Sequence, residues 1–162
     1  MRPAVLLLMA ALPLSAEFLR IDVAFEDIGC ASCIESLNRR LARVRGVERA
    51  EIDAKRGVAT LHLAAKNRVR LRPLLSRITQ DGTKVVRTEV IASGSIEIAE
   101  LGFLFQPSGL TQTYLLELDE KAMKGELHPN VTYKVKGIVL GGAGAKPILR
   151  ASSVTIEAAS AE

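Results

Sequence analysis

The chain has 162 residues, 48% hydrophobic and 25% charged, a globular balance that excludes collagen-like, low-complexity and wholly disordered proteins. Two cysteines within one four-residue span exclude a scaffold stapled by several disulfides, and 4% aromatic residues with no Trp leave few faces for stacking nucleic-acid bases. The formal charge is +4, divided unevenly: residues 17–92 hold 15 Lys or Arg against 10 Asp or Glu, about +5, and residues 93–162 hold 6 against 8, about −2. The basic residues of the first half, mostly Arg, offer solvated faces or a docking surface for an acidic partner.

Met1 and Arg2 precede an apolar run from Ala4 to Leu14, followed by Ser15 and Ala16. This pattern reads as a signal peptide over 1–16, which places the chain in a secreted or periplasmic setting with its mature start near Glu17. The run is too short to cross a hydrocarbon core, which takes about 20 residues, and no later segment is long and apolar enough, so no membrane span is expected in the mature chain. An uncleaved N-terminal anchor is the alternative.

Leu19, Ile21, Val23 and Phe25 alternate with polar or small residues and predict a strand ending at Glu26. From Ser32 the period changes: Ile34, Leu37, Leu41 and Val44 recur every three or four residues, predicting an amphipathic helix. Ser32 and Glu35 have the spacing of a capping box, and Gly46 ends the segment. Val47 to Asp53 and Val58 to Leu63 form a predicted hairpin around Ala54 to Gly57, and Arg72 to Thr79 a second helix with Pro73 in its first turn. Asp81 and Gly82 stop that helix, and Lys84 to Ile91 supplies a fourth strand. The order strand, helix, strand, strand, helix, strand is the ferredoxin-like βαββαβ arrangement, two helices on one face of an antiparallel sheet.

After Ala92-Ser93-Gly94, read as a connection, the texture turns to strand: Ser95 to Phe105, Thr111 to Leu118, Val131 to Leu140 and Ile148 to Glu157, with a short helical turn over Glu120 to Glu126 and a loose turn at Gly141 to Gly144. The predicted class is α+β: a signal peptide over 1–16, a ferredoxin-like domain over 17–92, and a small, mostly antiparallel β domain over 93–162 that loosely resembles the OB-like domains of exported bacterial proteins.

The constellation that carries chemistry is Ile28-Gly29-Cys30-Ala31-Ser32-Cys33, between the first strand and the first helix. Two intervening residues let both sulfurs converge as the chain turns into the helix. Two thiolates suffice for a soft monovalent ion such as Cu(I), whereas a closed structural zinc site needs four ligands. The positive end of the helix dipole favours the thiolate of Cys33, which is expected as the first residue of the helix. The same geometry serves thiol oxidoreductases and plain disulfides, so a redox role stays open. His62 is expected on the solvent face of the third strand, while His128 and Met123 read as isolated. No Ser/His/Asp constellation, phosphate loop or paired-carboxylate site emerges, so no enzyme is expected.

With these residues in place, about 19–90 resembles the heavy-metal-associated family, the ferredoxin-like module of soluble copper chaperones, mercury-carrying periplasmic proteins and the N-terminal repeats of metal-pumping ATPases. The cysteine pair opens the first helix as in that family, Arg45-Gly46-Val47-Glu48-Arg49-Ala50-Glu51-Ile52-Asp53 looks like its entry into the second strand, and Gly57-Val58-Ala59 opens the third. Ile28 stands where the family usually has Met, Asp27 where it usually has Gly, and Thr83 and Lys84 follow Gly82 where it often places an aromatic or Lys.

The resemblance implies that Cys30 and Cys33 bind a soft ion, Cu(I) foremost with Zn(II) or Hg(II) as alternatives, and exchange it with a metal-donating or metal-accepting protein. Asp27 would add a hard oxygen and shift preference towards Zn(II). Ile28 would pack beneath the loop as Met does. A protein-interaction module without metal is the remaining alternative. No nucleic-acid partner is expected, because the second half carries a net negative charge and few aromatics.

Overall fold

The structure is a computed structural model describing residues 17–26, 28–100, 102–123, 125–141 and 146–157. The expected signal peptide at 1–16 and Asp27 lie outside the described residues. In chain order the elements are β1 (Glu17–Glu26), α1 (Ala31–Ala42), β2 (Val47–Asp53), β3 (Val58–Leu63), α2 (Leu71–Thr79), β4 (Lys84–Ala99), β5 (Gly102–Pro107), β6 (Tyr114–Leu118), β7 (Thr132–Leu140) and β8 (Ile148–Ile156).

The first six elements obey the period-2 and period-3.6 patterns of their sequences. Ile21 and Val23 of β1 and Ala59 and Leu61 of β3 are fully buried, while Arg20 and Asp22 face the other way and pair at 2.8 Å. Leu37 and Leu41 of α1 and Leu71, Leu74 and Ile78 of α2 cover the inward face. Each such aliphatic side chain contributes roughly 1.5–3 kcal/mol on burial. Pro73 is the third residue of α2, where its missing N–H removes no intrahelical bond. The strands lie in the order β2-β3-β1-β4, all antiparallel, which is the ferredoxin-like sheet.

β4 departs from expectation. Ala92, Ser93 and Gly94, read from the sequence as a connection, lie inside one sixteen-residue strand. Up to Ser93 one edge of β4 pairs with β1; from Gly94 to Ala99 it pairs with β5, and β7 pairs with it from Thr88 to Ser95. Beyond β4 the pairings run β5-β6-β8-β7 and return to β4, closing a ring of five strands in which only β6–β8 is parallel. The expected single strand Ser95 to Phe105 is two strands, because the chain turns between Ala99 and Gly102. Of the helical turn expected at 120–126 the described residues show one turn, closed by the Ala122 amide on the Asp119 carbonyl at 2.8 Å, after which Met123 makes an isolated parallel bridge to Val154 and the Val154 amide donates to the Ala122 carbonyl at 2.6 Å.

One cluster of buried side chains, from Phe18 and Leu37 through Val90 and Ala92 to Tyr133 and Leu149, runs through both halves. At the junction the Phe18 and Tyr114 rings meet edge to face, 6.3 Å between centroids at 88°. The Tyr114 hydroxyl is buried without a hydrogen-bond partner among the described residues, and burial pushes its pKa up to about 12. Gly94 and Gly137 permit the closest strand approaches in the ring: a Cβ on Gly94 would run into the Gln106 carbonyl, and one on Gly137 into the Arg150 carbonyl.

Gly94→Ala is expected to destabilise the whole chain by about 1–3 kcal/mol, because it overpacks the strand shared by both halves. Urea unfolding followed by far-UV circular dichroism should give one transition in parent and variant, shifted to lower urea in the variant. Two separated transitions would show the halves to be independent. Tyr114 supplies a pH test. Its folded pKa lies above the ordinary value near 10, so its contribution is intact below pH 10 and is lost as pH rises from 10 towards 12, by up to about 2–3 kcal/mol. Tyr114→Phe should flatten the stability profile over that window while leaving the neutral-pH stability within about 1 kcal/mol of the parent, since it also removes an unpaired buried hydroxyl.

Candidate functional site

β1 ends at Glu26, and the short segment 28–30 leads directly into α1. Ile28 is half-buried against the core, the packing role expected for this position, while Gly29 and Cys30 are exposed. The helix begins two residues earlier than its capping-box signature suggests. Cys30, with extended backbone at φ −129° and ψ 145°, is the N-cap, and its Sγ accepts a hydrogen bond from the Cys33 amide at 3.1 Å. The Cys30 carbonyl takes the amides of Cys33 and Ile34 at 3.1 and 3.2 Å. Ser32, expected as the cap, is the second helical residue, and its hydroxyl sits 3.1 Å from Cys30 Sγ. Cys33 is therefore the third residue of α1 and not the first. It remains in the first turn, whose N–H groups have no partner four residues back within the helix, and Cys30 satisfies its amide.

The two sulfurs, expected as free thiols, are joined in a Cys30–Cys33 disulfide with Cα atoms 5.2 Å apart. The physical reason lies in the helix start itself: it turns the chain through two residues so that both side chains leave on the same side. The Ser32 hydroxyl is then the donor to Cys30 Sγ, which has no proton to give. Cys30 is exposed and Cys33 half-buried, so the pair is unequal towards an approaching nucleophile.

The end of the sheet at which this loop lies is fixed by polar contacts. The Phe25 amide donates to the Gly57 carbonyl at 2.8 Å, closing the β2–β3 turn against the end of β1. Arg40 of α1 donates to Asp81 at 2.5 Å and the Thr83 hydroxyl to the other Asp81 oxygen at 2.8 Å, tying the α2–β4 loop to α1. Partial desolvation works to raise the Asp81 pKa, but the bonds from Arg40 and Thr83 outweigh it and hold the carboxyl below its ordinary value. Both the turn and the loop flank the strand ends from which residues 28–33 depart.

The other singled-out residues stand apart from the sulfurs. His62 is half-buried on the sheet face opposite the helices, its Nε2 3.3 Å from Arg49 Nη2, and Arg49 also pairs with Glu51 at 3.0 Å. His128 is in the loop before β7, where its amide donates to the Tyr133 hydroxyl at 2.7 Å. Among the described residues no group of three His, Cys, Asp or Glu gathers to hold a metal ion. Among the described residues, too, no helix is long and apolar enough to cross a membrane. The role of Cys30 as cap acceptor was missed in the sequence because cysteine is an uncommon cap; the signal was the helical spacing of Ala31, Ile34 and Leu37.

No protein-family profile and no curated protein matches the chain. A solved structure similar to part of it is the solution structure of the yeast copper transporter domain Ccc2a in its apo and Cu(I)-loaded states. That domain is 18% identical, the match covers 42% of this chain and 94% of that one, and the TM-score is 0.37.

Proposed function

We propose that this chain is an exported carrier of a soft metal ion, Cu(I) before Zn(II) or Hg(II), which the reduced thiolates of Cys30 and Cys33 capture and pass to a partner protein. The observation that carries the proposal is the placement of both sulfurs at the exposed start of α1, their Cα atoms 5.2 Å apart, with the first turn of helix N–H groups beneath them. Those N–H groups and the helix dipole stabilise thiolate, the form that binds metal. A pair of thiolates matches the preference of a soft ion for two sulfur donors. Transfer proceeds by ligand exchange: an incoming partner thiolate joins the ion, and the exposed Cys30 is the sulfur placed to leave first. The chain is a carrier in this reading, with no enzymatic turnover of its own, and the apolar run from Ala4 to Leu14 supports export.

Loading requires the disulfide to be opened. A dithiol reductant supplies two electrons and two protons: its thiolate attacks one sulfur of the pair, its second thiol resolves the mixed disulfide, and the reductant leaves oxidised. The disulfide itself favours a second reading, a thiol–disulfide redox protein, in which this exchange is the function.

We read the second half as OB-like on the support of its five-strand ring and its parallel β6–β8 pair, and assign it a bracing and partner-facing role.

Reduced full-length protein titrated anaerobically with Cu(I) against a competing chelator should take up one ion per chain. Cys30→Ser and Cys33→Ser should each lower the affinity at least about a hundredfold. Failure of the reduced protein to compete, together with a reduction potential in the range of thiol oxidoreductases, would overturn the carrier reading in favour of the redox one. For the redox chemistry, reduced protein offered a small-molecule disulfide should form a mixed disulfide on Cys30, the exposed sulfur, which accumulates in Cys33→Ser protein because the resolving thiol is gone, and which Cys33 of the parent displaces to give the internal disulfide.

A further inference from the structure

Two hydrogen-bond donors converge on Cys30 Sγ. The Cys33 amide donates to it at 3.1 Å, and the Ser32 hydroxyl lies 3.1 Å from the same atom. Cys33 Sγ receives no donor among the described residues, so the two sulfurs differ in hydrogen bonding as well as in exposure.

The helix does not account for Ser32. Its spacing with Glu35 suggests a capping box, but Cys30 is the cap, Ser32 lies inside the first turn, and Glu35 pairs with Arg39 at 3.4 Å. Ala at this exposed position would suit the helix at least as well. What serine adds is one O–H, and among the described residues Cys30 Sγ is its one hydrogen-bond partner. That bond does not weigh equally on the two states of the pair. A disulfide sulfur is a weak, neutral acceptor, whereas a thiolate carries a full charge, and a hydrogen bond to a charged acceptor is roughly twice as strong as a neutral one. A hydroxyl held beside Cys30 Sγ by the first turn of α1 therefore favours the dithiol over the disulfide. The Cys33 amide acts in the same sense, but it is backbone and is present whatever the side chains are. Ser32 is the side chain that adjusts the balance.

From this geometry we infer that Ser32 is a positioning residue of the sulfur pair: its hydroxyl stabilises the charge on Cys30 once the disulfide opens, shifts the dithiol–disulfide equilibrium towards the dithiol, and makes Cys30 the sulfur that reacts. The inference rests on the proposed use of the reduced pair, and it does not depend on which ion the pair holds.

The test is the redox equilibrium of the full chain, metal-free and under argon, in glutathione buffers of graded composition at neutral pH, with the dithiol fraction read by mass after alkylation. In the oxidising direction the Cys30 thiolate attacks glutathione disulfide, forms a mixed disulfide and releases one glutathione thiolate. Cys33 then gives its proton to solvent, attacks Cys30 Sγ and displaces the second glutathione thiolate, so that two electrons pass from the pair to glutathione. Ser32→Ala should raise the equilibrium constant for disulfide formation about three- to tenfold, a potential more negative by about 14 to 30 mV. Ser32→Thr, which keeps the hydroxyl, should stay within about twofold of the parent. A substitution that merely loosens the helix start acts on the oxidised and reduced chains alike and leaves the constant where it was. An unchanged constant in Ser32→Ala, a change in the opposite direction, or equal changes in Ser32→Ala and Ser32→Thr would each overturn the inference. No metal enters the measurement, so a failed Cu(I) titration overturns the carrier reading and leaves the role of Ser32 standing, and an unmoved constant overturns that role whatever the titration gives.

Discussion

Everything in this fold hangs on β4 keeping its pairing partners on both edges while one of them is exchanged halfway. Between Ser93 and Gly94 the neighbour on one edge changes from β1 to β5, and β7 holds the other edge across the change. Such an exchange needs a backbone able to pass very close to its new partner. Gly94 provides it, since any side chain there would occupy the space of the Gln106 carbonyl. The consequence is cooperative: Val90 and Ala92 lie in the same buried cluster as Leu37 of the helices and Leu149 of the ring. A residue that loosens the ring therefore acts on the layer that supports α1.

The sulfur pair depends on this scaffold indirectly. The helix start that aligns Cys30 and Cys33 is held by the end of β1, and β1 is held between β3 and β4. Only the last link is local: Cys30 is both the N-cap and half of the disulfide, so the group that satisfies the Cys33 amide is also the reactive one. Opening the disulfide leaves Cys30 free to keep that hydrogen bond as a thiolate, a stronger acceptor than a disulfide sulfur. Reduction thus strengthens the cap it also frees for metal. Disulfide and metal loading compete for the same sulfur electron pairs, and the redox poise of the compartment decides which form is populated.

The ferredoxin-like half was legible because its signals are local. The hairpin bounds Val47–Asp53 and Val58–Leu63 coincide with the sequence reading, since strict alternation is interrupted by a turn ending in Gly57 at φ +61°. The α1 boundary was misplaced because Ser32 and Glu35 mimic a capping box, while the true cap is a cysteine whose capping is tied to its covalent partner. β4 was divided because Ala92-Ser93-Gly94 has a linker's composition; what makes it strand is long-range pairing to β1, β5 and β7, which no local window contains. The same limitation bears on the helical turn expected at 120–126, whose one described turn at 119–122 gives way at Met123 to a bridge with Val154. For the site, the sequence named the two sulfurs, but their joining and their unequal exposure follow only from the arrangement in space.

The distribution of paired and unpaired cations is the last element that local stability does not account for. On the open sheet face opposite charges alternate, as Arg20 with Asp22, Arg49 with Glu51 and Lys136 with Glu89, so that face largely neutralises itself. Exposed pairs of this kind contribute only about 0–1 kcal/mol each, yet they remove the repulsion that like charges would bring. Around Gly46 and Asn67, which are themselves fixed by packing and hydrogen bonds, cations gather without carboxylate partners among the described residues: Arg70 and Arg72 at the start of α2, whose dipole opposes them, and Arg43 and Arg45 after the end of α1, whose dipole favours them. The sulfurs at one end of β1 and the basic loop 66–72 at the other take their places from the order in which α1, β2 and β3 return along the sheet, and the exposed Arg56 of the β2–β3 turn adds a cation at the sulfur end.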